Sequence, residues 1–260
     1  MRNRFMGALV AMAAVLVFSP VILAQTPARP GPGAAKAQTP DLTGVWGSAS
    51  WGNETPMTAA ELKNQASRER EKPPLPMQKW AEEKYIYNND PERAGTRGRI
   101  ELDPWNRCFP LSPPRMMTTP NPFEIIYAPK RVLIFFETDR DVRQVWTDGR
   151  EHPKDLEPSW LGHSIGKWDG DTLVVDTVGI TDRGWLDGAG HIHTDALHIV
   201  ERFRRVDHDT LEIDMTLDDP KAYTKPWTEK VVRKLRPDWE ITPSITCDER
   251  YKMGIYGDTF

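Results

Sequence analysis

Residues 162–180, which read GHSIGKWDGDTLVVDTVGI, decide the fold class. Two runs rich in β-branched and aromatic residues, 162–168 and 172–180, are separated by Asp169-Gly170. An Asp-Gly step between such runs is typical of a tight β-hairpin, because glycine readily adopts the positive φ that a two-residue turn requires. The sequence therefore predicts two antiparallel strands near the middle of the chain.

Similar runs on both sides of this hairpin predict further strands. They cover residues 124–127, 131–137, 142–147, 197–206, 210–217, 227–235 and 239–247, after a first strand that starts near residue 41. In the run 210–217, Leu211 and Ile213 alternate with polar residues, which indicates a strand with one buried face. A long meander without helical crossovers has to curl or close to protect its edges. We therefore expect a mainly β fold, an antiparallel up-and-down barrel of about 8–10 strands, with a β-sandwich as the alternative.

The first 24 residues have the pattern of a secretory signal peptide. Arg2 and Arg4 precede an uncharged apolar stretch at 5–18, and Ala24 places a small residue at the expected cleavage point. This stretch is shorter than the roughly 20 apolar residues that a membrane-spanning helix needs. The sequence thus predicts export to the periplasm or the cell exterior, with no membrane span after cleavage.

The rest of the chain divides into a linker and one domain. Residues 25–40 are rich in Pro, Ala and Gly and contain no large apolar side chain, which predicts a disordered linker. A single β-barrel domain is expected at 41–260. Residues 58–122 interrupt it as an insertion that is partly helical and partly irregular, and long ordered loops of this kind tend to form lids or binding surfaces.

The charge balance excludes one class of partner. The chain has 34 Lys and Arg against 38 Asp and Glu, a net charge of −4 with neutral histidines. Because an acidic surface repels phosphate backbones, no nucleic-acid partner is expected. The expected partner is a small molecule, and the oligomeric state stays open.

Two resemblances support the barrel and the export. Gly44-Val45-Trp46 is similar to the G-x-W motif that opens lipocalin-like (calycin) β-barrels, in which the Trp closes one end. The blocks LTGVWG (42–47), GHSIGKWDGDTLVVDT (162–177), HIHTDALHIVERF (191–203) and DDPKAYTKPWT (218–228) resemble a family of exported bacterial proteins to which no activity is assigned. The second resemblance implies fold and export and transfers no activity.

Histidines are concentrated in one part of the chain. Five of the six lie between residues 152 and 198, namely His152, His163, His191, His193 and His198. In an extended chain, His191 and His193 point to the same side about 6–7 Å apart, from where two imidazoles can reach one metal ion. With His198 as third ligand, they predict a transition-metal site, for example for zinc. A metal-free polar pocket and purely structural roles are the alternatives.

Other residues in this region predict acid–base chemistry or ligand contacts. His163 and His193 are candidate catalytic bases, with Asp195 as the group that orients them. Trp160 and Trp185 flank the histidines in loops and are candidate stacking walls for an apolar or aromatic molecule. On the strand 197–206, Glu201 lies on the apolar face and must be paired or meet a polar cavity, and Arg202 is a candidate contact for an anionic group.

Ser164 lies in Gly162-His163-Ser164-Ile165-Gly166, which matches the G-x-S-x-G nucleophile elbow of serine hydrolases. That elbow requires a buried parallel strand before the serine and a helix directly after it. Here prolines precede the motif and a β-hairpin follows it. A serine hydrolase is therefore the least favoured alternative.

The leading functional hypothesis is a small-molecule carrier. Its pocket would be lined by His163, His191, His193, His198, Trp160 and Trp185. A lyase or hydrolase that uses metal-assisted or acid–base chemistry on the same barrel is the first alternative. A structural or interaction module without a pocket is the second.

The two cysteines, Cys108 and Cys247, are expected to form a disulfide in an oxidising compartment, which would stabilise the fold by roughly 4–5 kcal/mol. The intact mass of the exported protein checks both this bond and the signal peptide. We expect a chain that starts near Gln25 and takes up alkylating reagent only after reduction. Alkylation of both thiols without reduction would contradict the disulfide, and a mass that includes residues 1–24 would contradict the cleavage.

Overall fold

Nine strands form one closed β-barrel in the computed structural model, which describes residues 40–48, 74–90 and 102–242. In chain order they are β1 (Gly44–Ser48), β2 (Phe123–Ala128), β3 (Arg131–Phe136), β4 (Val142–Trp146), β5 (His163–Asp169), β6 (Thr172–Val178), β7 (His198–Asp207), β8 (Thr210–Asp218) and β9 (Trp227–Leu235). Each strand pairs with the next in the sequence, and β9 pairs with β1 to close the ring. The predicted mainly β class and barrel architecture are confirmed.

One strand pair breaks the antiparallel order that the sequence predicts. β4 and β5 run parallel, whereas the other neighbouring pairs of the described barrel are antiparallel. An odd number of strands cannot close with every pair antiparallel, because alternating directions around the ring leave one pair pointing the same way. Residues 147–162, the connection from β4 to β5, therefore run back to the end of the barrel where β4 began.

The two ends of the barrel differ in their connections. Residues 129–130, 170–171 and 208–209 make tight turns at one end, which we call the hairpin end. Trp46 is buried near this end, where its Nε1 donates to the carbonyl of Leu42 at 2.9 Å and the Arg205 guanidinium lies 5.3 Å from the ring centroid. The expectation that this Trp closes one end of the barrel agrees with this packing.

The long connections meet at the opposite end, which we call the capped end. The described parts of the insertion contribute helix α1 (Lys79–Asn88) and the short helix α2 (Arg115–Thr118) to it. The amide of Gln78 donates to the Ala222 carbonyl at 2.7 Å, and Asn88 Nδ2 donates to the Gly190 carbonyl at 2.8 Å. Hydrogen bonds thus join the insertion to the connections 179–197 and 219–226, and the three form one cap. The helical character predicted for the insertion holds at α1.

Apolar side chains fill the inside of the barrel. The inward-facing positions of the strands hold buried residues that form one contiguous cluster, including Trp46, Phe123, Ile134, Val145, Leu173, Phe203, Ile213 and Met215. The inward set follows the alternation of the strands, because successive residues point to opposite faces. The interior is therefore a packed core.

A buried ion pair lies within this core. Arg143 of β4 and Glu201 of β7 are almost inaccessible to solvent, and the guanidinium contacts both carboxylate oxygens. Arg143 Nε also donates to Ser164 Oγ of β5 at 3.2 Å, and its Nη2 donates to Thr177 Oγ1 of β6 at 2.8 Å. Strands β4 to β7 thus contribute one polar group each to a network that satisfies the buried charges.

The end of the chain departs from the predicted hairpin. Residues 239–242 form no strand, and 243–247 lie outside the described residues, as does Cys247. The edge of β9 is occupied by β1 instead, through pairs such as Trp46 with Leu235. Cys108 is not a free thiol, but its pairing with Cys247 stays a prediction.

The predicted signal peptide lies outside the described residues, as does the linker except for Pro40. No helix in the described part of the chain is long and apolar enough to cross a membrane.

We predict that Arg143→Met lowers the free energy of unfolding by about 3–5 kcal/mol, because it leaves the Glu201 carboxylate buried without a partner. Urea denaturation measures the change. The matched control is Arg202→Met, whose exposed pair with Asp169 contributes about 0–1 kcal/mol. The double variant Arg143→Met/Glu201→Met should regain part of the loss. Equal stabilities of Arg143→Met and Arg202→Met would contradict this role.

Candidate functional site

Three histidines and one aspartate meet on the outer wall of the barrel near the capped end. We call His152, His163, Asp176 and His198 the Asp176 cluster. Asp176 Oδ1 lies 3.2 Å from His152 Nε2 and 2.9 Å from His198 Nε2. His152 Nδ1 in turn lies 2.8 Å from His163 Nδ1. All four side chains are linked through polar contacts.

Strand register brings three members of the cluster together. Asp176 on β6 stands opposite Ile165 of β5 and Val200 of β7, and His163 stands opposite Val178. His163 and His198 lie two residues before Ile165 and Val200, so they point to the same outer face as Asp176. The sheet therefore places one imidazole on each side of the Asp176 carboxylate, His163 on β5 and His198 on β7.

The fourth member, His152, comes from the connection 147–162. The amide of Ser159 donates to the Gly179 carbonyl at 2.9 Å, which ties this connection to the end of β6. Gly179 has φ +69, and a Cβ there would lie 2.4 Å from Leu156 Cδ2. A glycine is needed at this position because the backbone is left-handed and the leucine packs against it. This packing holds the connection, and with it His152, against the wall.

The cluster is accessible to solvent and borders apolar residues. The side chains of Asp176 and His198 are 40% and 41% exposed, whereas His152 is 21% exposed. Ile165, Val178 and Val200 around them are half-buried. Burial lowers the pKa of His163, with a further contribution from the neighbouring His152 and Arg150. The lowered pKa favours the neutral form of His163, which is able to accept a proton.

His191 lies in the cap, away from the Asp176 cluster contacts. Its Nδ1 is 2.7 Å from Asp187 Oδ2, and its ring stacks on Tyr85 of α1 with centroids 4.3 Å apart. Although burial opposes the effect, the hydrogen bond from His191 lowers the pKa of Asp187. The Asp187–His191 contact closes the small hairpin in which the amide of Leu186 donates to the carbonyl of His191.

His193 is buried within the cap. Its Nδ1 lies 3.1 Å from the carbonyl of Thr194, and Thr194 is itself held by two hydrogen bonds to Asp219. His193 Nε2 and Ser112 Oγ are buried without hydrogen-bond partners. Both border Gly184, where a Cβ would lie 2.9 Å from Ser112 Oγ and 3.9 Å from His193 Nε2. A side chain larger than glycine at position 184 would therefore collide with Ser112.

The predicted metal site is not assembled. His191 contacts Asp187, His193 contacts Thr194 and His198 contacts Asp176, so the three proposed ligands have separate partners. Within the described ranges, no group of three or more His, Cys, Asp or Glu side chains is arranged to hold a metal ion. The three rings have different contacts here because the loop that carries them directs them apart, and metal binding by this segment stays a prediction.

The candidate acid–base residues are likewise separated. Asp195 is exposed and pairs with Lys221 at 2.7 Å, so it orients neither His163 nor His193. The carboxylate linked to His163 is instead Asp176, through the contacts of His152. Arg202 lies on the outer face and pairs with Asp169.

Three other predicted residues belong to the packing of the molecule. Glu201 and Ser164 are buried in the network around Arg143. Trp185 is buried in the cap, and its bridge to Ile192 forms part of the small hairpin. Ser164 and Glu201 are thus inaccessible to solvent, and both contact Arg143.

Trp160 lies near the outer-wall site. Its ring packs against Phe109 with centroids 5.5 Å apart, and Phe109 is exposed. Trp160 precedes His163 by three residues, a span of at most about 11 Å. The role of Trp160 as a stacking wall stays a prediction.

Sequence reasoning missed Asp176 as a functional residue. The signal was present, because Asp176 is the one acidic residue in β6 and stands between Val174 and Val178 on the outward face. An acid in this position requires water or polar partners. His152 was noticed as one of the clustered histidines without a role.

No protein-family model, no curated protein and no solved structure matches this chain. The likeness to a family of exported bacterial proteins therefore stays a prediction. The closed nine-stranded barrel is compatible with a lipocalin-like architecture.

We predict that His193 makes the protein less stable in mild acid. Burial lowers its pKa, against the opposing effects of Thr194, Asp219 and Asp182. Below the ordinary value of 6.5, the unfolded chain binds a proton that the folded chain rejects, so stability is lost as the pH falls. The loss between about pH 7.5 and about pH 5.5 should be smaller in His193→Gln than in the wild type.

Denaturant unfolding at each pH measures this difference. His208→Gln is the matched control for the loss of a histidine, because His208 is exposed at the hairpin end. The comparison between variants is needed because burial also raises the pKa of Asp141 to about 6, which acts in the opposite direction. Identical pH dependence of His193→Gln and the wild type would refute the prediction.

Proposed function

We propose that this protein binds a small, partly apolar molecule on the outer wall of its barrel, and that it does so outside the cytoplasm. The observation that carries the binding proposal is the Asp176 cluster. Three strands and a long connection bring its polar side chains together at a half-exposed position. The proposal of export rests on the signal-like residues 1–24.

The outer wall is a better place for a ligand than the interior. A lipocalin-like carrier would hold its ligand inside the barrel, but buried side chains and the Arg143–Glu201 pair fill that space. Displacing such a core would cost several kcal/mol for each large side chain. The histidines of the Asp176 cluster need no such displacement because they already face the solvent.

The surroundings of the cluster indicate the chemistry of the ligand. Ile165, Val178 and Val200 offer aliphatic surface, and the Phe109–Trp160 pair offers aromatic surface. Neutral imidazoles present nitrogen lone pairs that accept hydrogen bonds. These features favour a molecule with an apolar or aromatic body and one O–H or N–H donor, for example a phenol.

We predict that 4-fluorophenol binds to the wild-type protein more tightly than fluorobenzene, which lacks the hydroxyl donor. Shift and broadening of the ¹⁹F resonance measure both affinities. His163→Ala should weaken 4-fluorophenol binding about five- to tenfold, because one hydrogen bond contributes roughly 1 kcal/mol.

His208→Ala is the matched control for this experiment. It removes a histidine that is exposed at the hairpin end and should leave the affinity unchanged. Equal binding of the two probes, or equal binding by His163→Ala and the wild type, would rule out this site.

A further inference from the structure

One carboxylate determines where the hydrogens of the Asp176 cluster lie. An ionised carboxylate only accepts hydrogen bonds. Because Asp176 Oδ1 contacts His152 Nε2 and His198 Nε2, both nitrogens must carry a hydrogen. In a neutral imidazole the other nitrogen is then bare, so the Nδ1 atoms of His152 and His198 are acceptors.

The position of the hydrogen between His152 and His163 follows from this assignment. His152 Nδ1 and His163 Nδ1 are 2.8 Å apart, and a contact this short requires a hydrogen on one of them. Since His152 Nδ1 is bare, the hydrogen belongs to His163 Nδ1. His163 Nε2 is therefore left without a proton, as in a histidine that serves as a base.

We propose that Asp176, His152 and His163 form a proton relay that makes His163 Nε2 a general base toward a bound molecule. The proposal rests on the proposed binding at this site for its substrate, a weak acid with an O–H group. His163 is the catalytic residue, and His152 and Asp176 are the residues that position it and receive the charge.

The relay conserves protons at each step. His163 Nε2 takes the proton from the bound hydroxyl, which becomes an oxyanion. The proton on His163 Nδ1 then moves to His152 Nδ1, so that His163 is neutral again and His152 becomes an imidazolium. The positive charge is then on His152, which contacts the Asp176 carboxylate and is stabilised by its opposite charge.

The charged groups around the relay favour this direction of transfer. Burial lowers the pKa of His163, and the neighbouring His152 and Arg150 lower it further, so a proton on His163 is disfavoured. His198 donates to the same carboxylate oxygen as His152 and helps to hold it in place. A charge that stayed on His163 would lack the carboxylate contact that His152 has.

The absorbance of 4-nitrophenolate tests the relay. Bound to the wild type, 4-nitrophenol should ionise at least about one pH unit below the free probe, a tenfold gain in acidity. His152→Gln is the decisive variant, because its amide can accept from His163 and donate to Asp176 but cannot carry a proton. It should bind the neutral probe, in acid solution, with an affinity within about threefold of the wild type and lose the shift in ionisation. Wild-type ionisation in His152→Gln would overturn the relay.

A second measurement judges the relay without any ligand. Long-range ¹H–¹⁵N correlation spectra of the free protein should report a hydrogen on Nδ1 of His163 and on Nε2 of His152 and His198. A hydrogen on Nε2 of His163 would overturn the relay. If 4-nitrophenol and 4-fluorophenol both fail to bind but these tautomers are found, the binding proposal fails and the hydrogen order of the relay stands.

Discussion

The contact between Arg143 and Glu201 holds the barrel together where the direction of its strands changes. The two side chains belong to β4 and β7, and Ser164 and Thr177 of the strands between them complete the network. A charge inside an apolar core costs several kcal/mol unless it is paired, so each of these side chains requires the other. That requirement fixes the relative positions of four neighbouring strands. The parallel pair of β4 and β5 is accommodated within this arrangement.

Three of these strands, β5 to β7, carry members of the Asp176 cluster on their opposite face. Ser164 and Thr177 point inward, and their sequence neighbours His163 and Asp176 point outward, because strand residues alternate between the two faces. Because the inner network holds these strands in register, it also sets the spacing of the outward side chains. The inner charges are fully paired and inaccessible, whereas the outer carboxylate and imidazoles meet solvent. Only the backbone of the sheet separates the buried network around Arg143 from the solvent-accessible Asp176 cluster.

Local sequence patterns were sufficient to predict the strands but not how the chain brings distant residues together. Alternating apolar residues and Asp-Gly turns are encoded within a few positions, so most observed strands lie within two residues of their predicted bounds. The parallel direction of β5 depends on the path of residues 147–162, which contain no local signal for it. His163 was found because histidines are few and clustered, and Asp176 was missed because an acid on an exposed strand is usually only solvated. The supposed metal ligands are close in the sequence, but the cap turns their rings apart.

The pairing of β4 with β5 also determines where the wall is weakest. Two residue pairs, Val145 with Ser164 and Trp146 with Ile165, join these strands, against three or more at each other junction of the described barrel. The cylinder therefore has one seam, and opening it would leave a single sheet that runs from β5 through β9 and β1 to β4. Partial unfolding that starts at this seam would expose the edges of β4 and β5 while the other strand pairs stay joined.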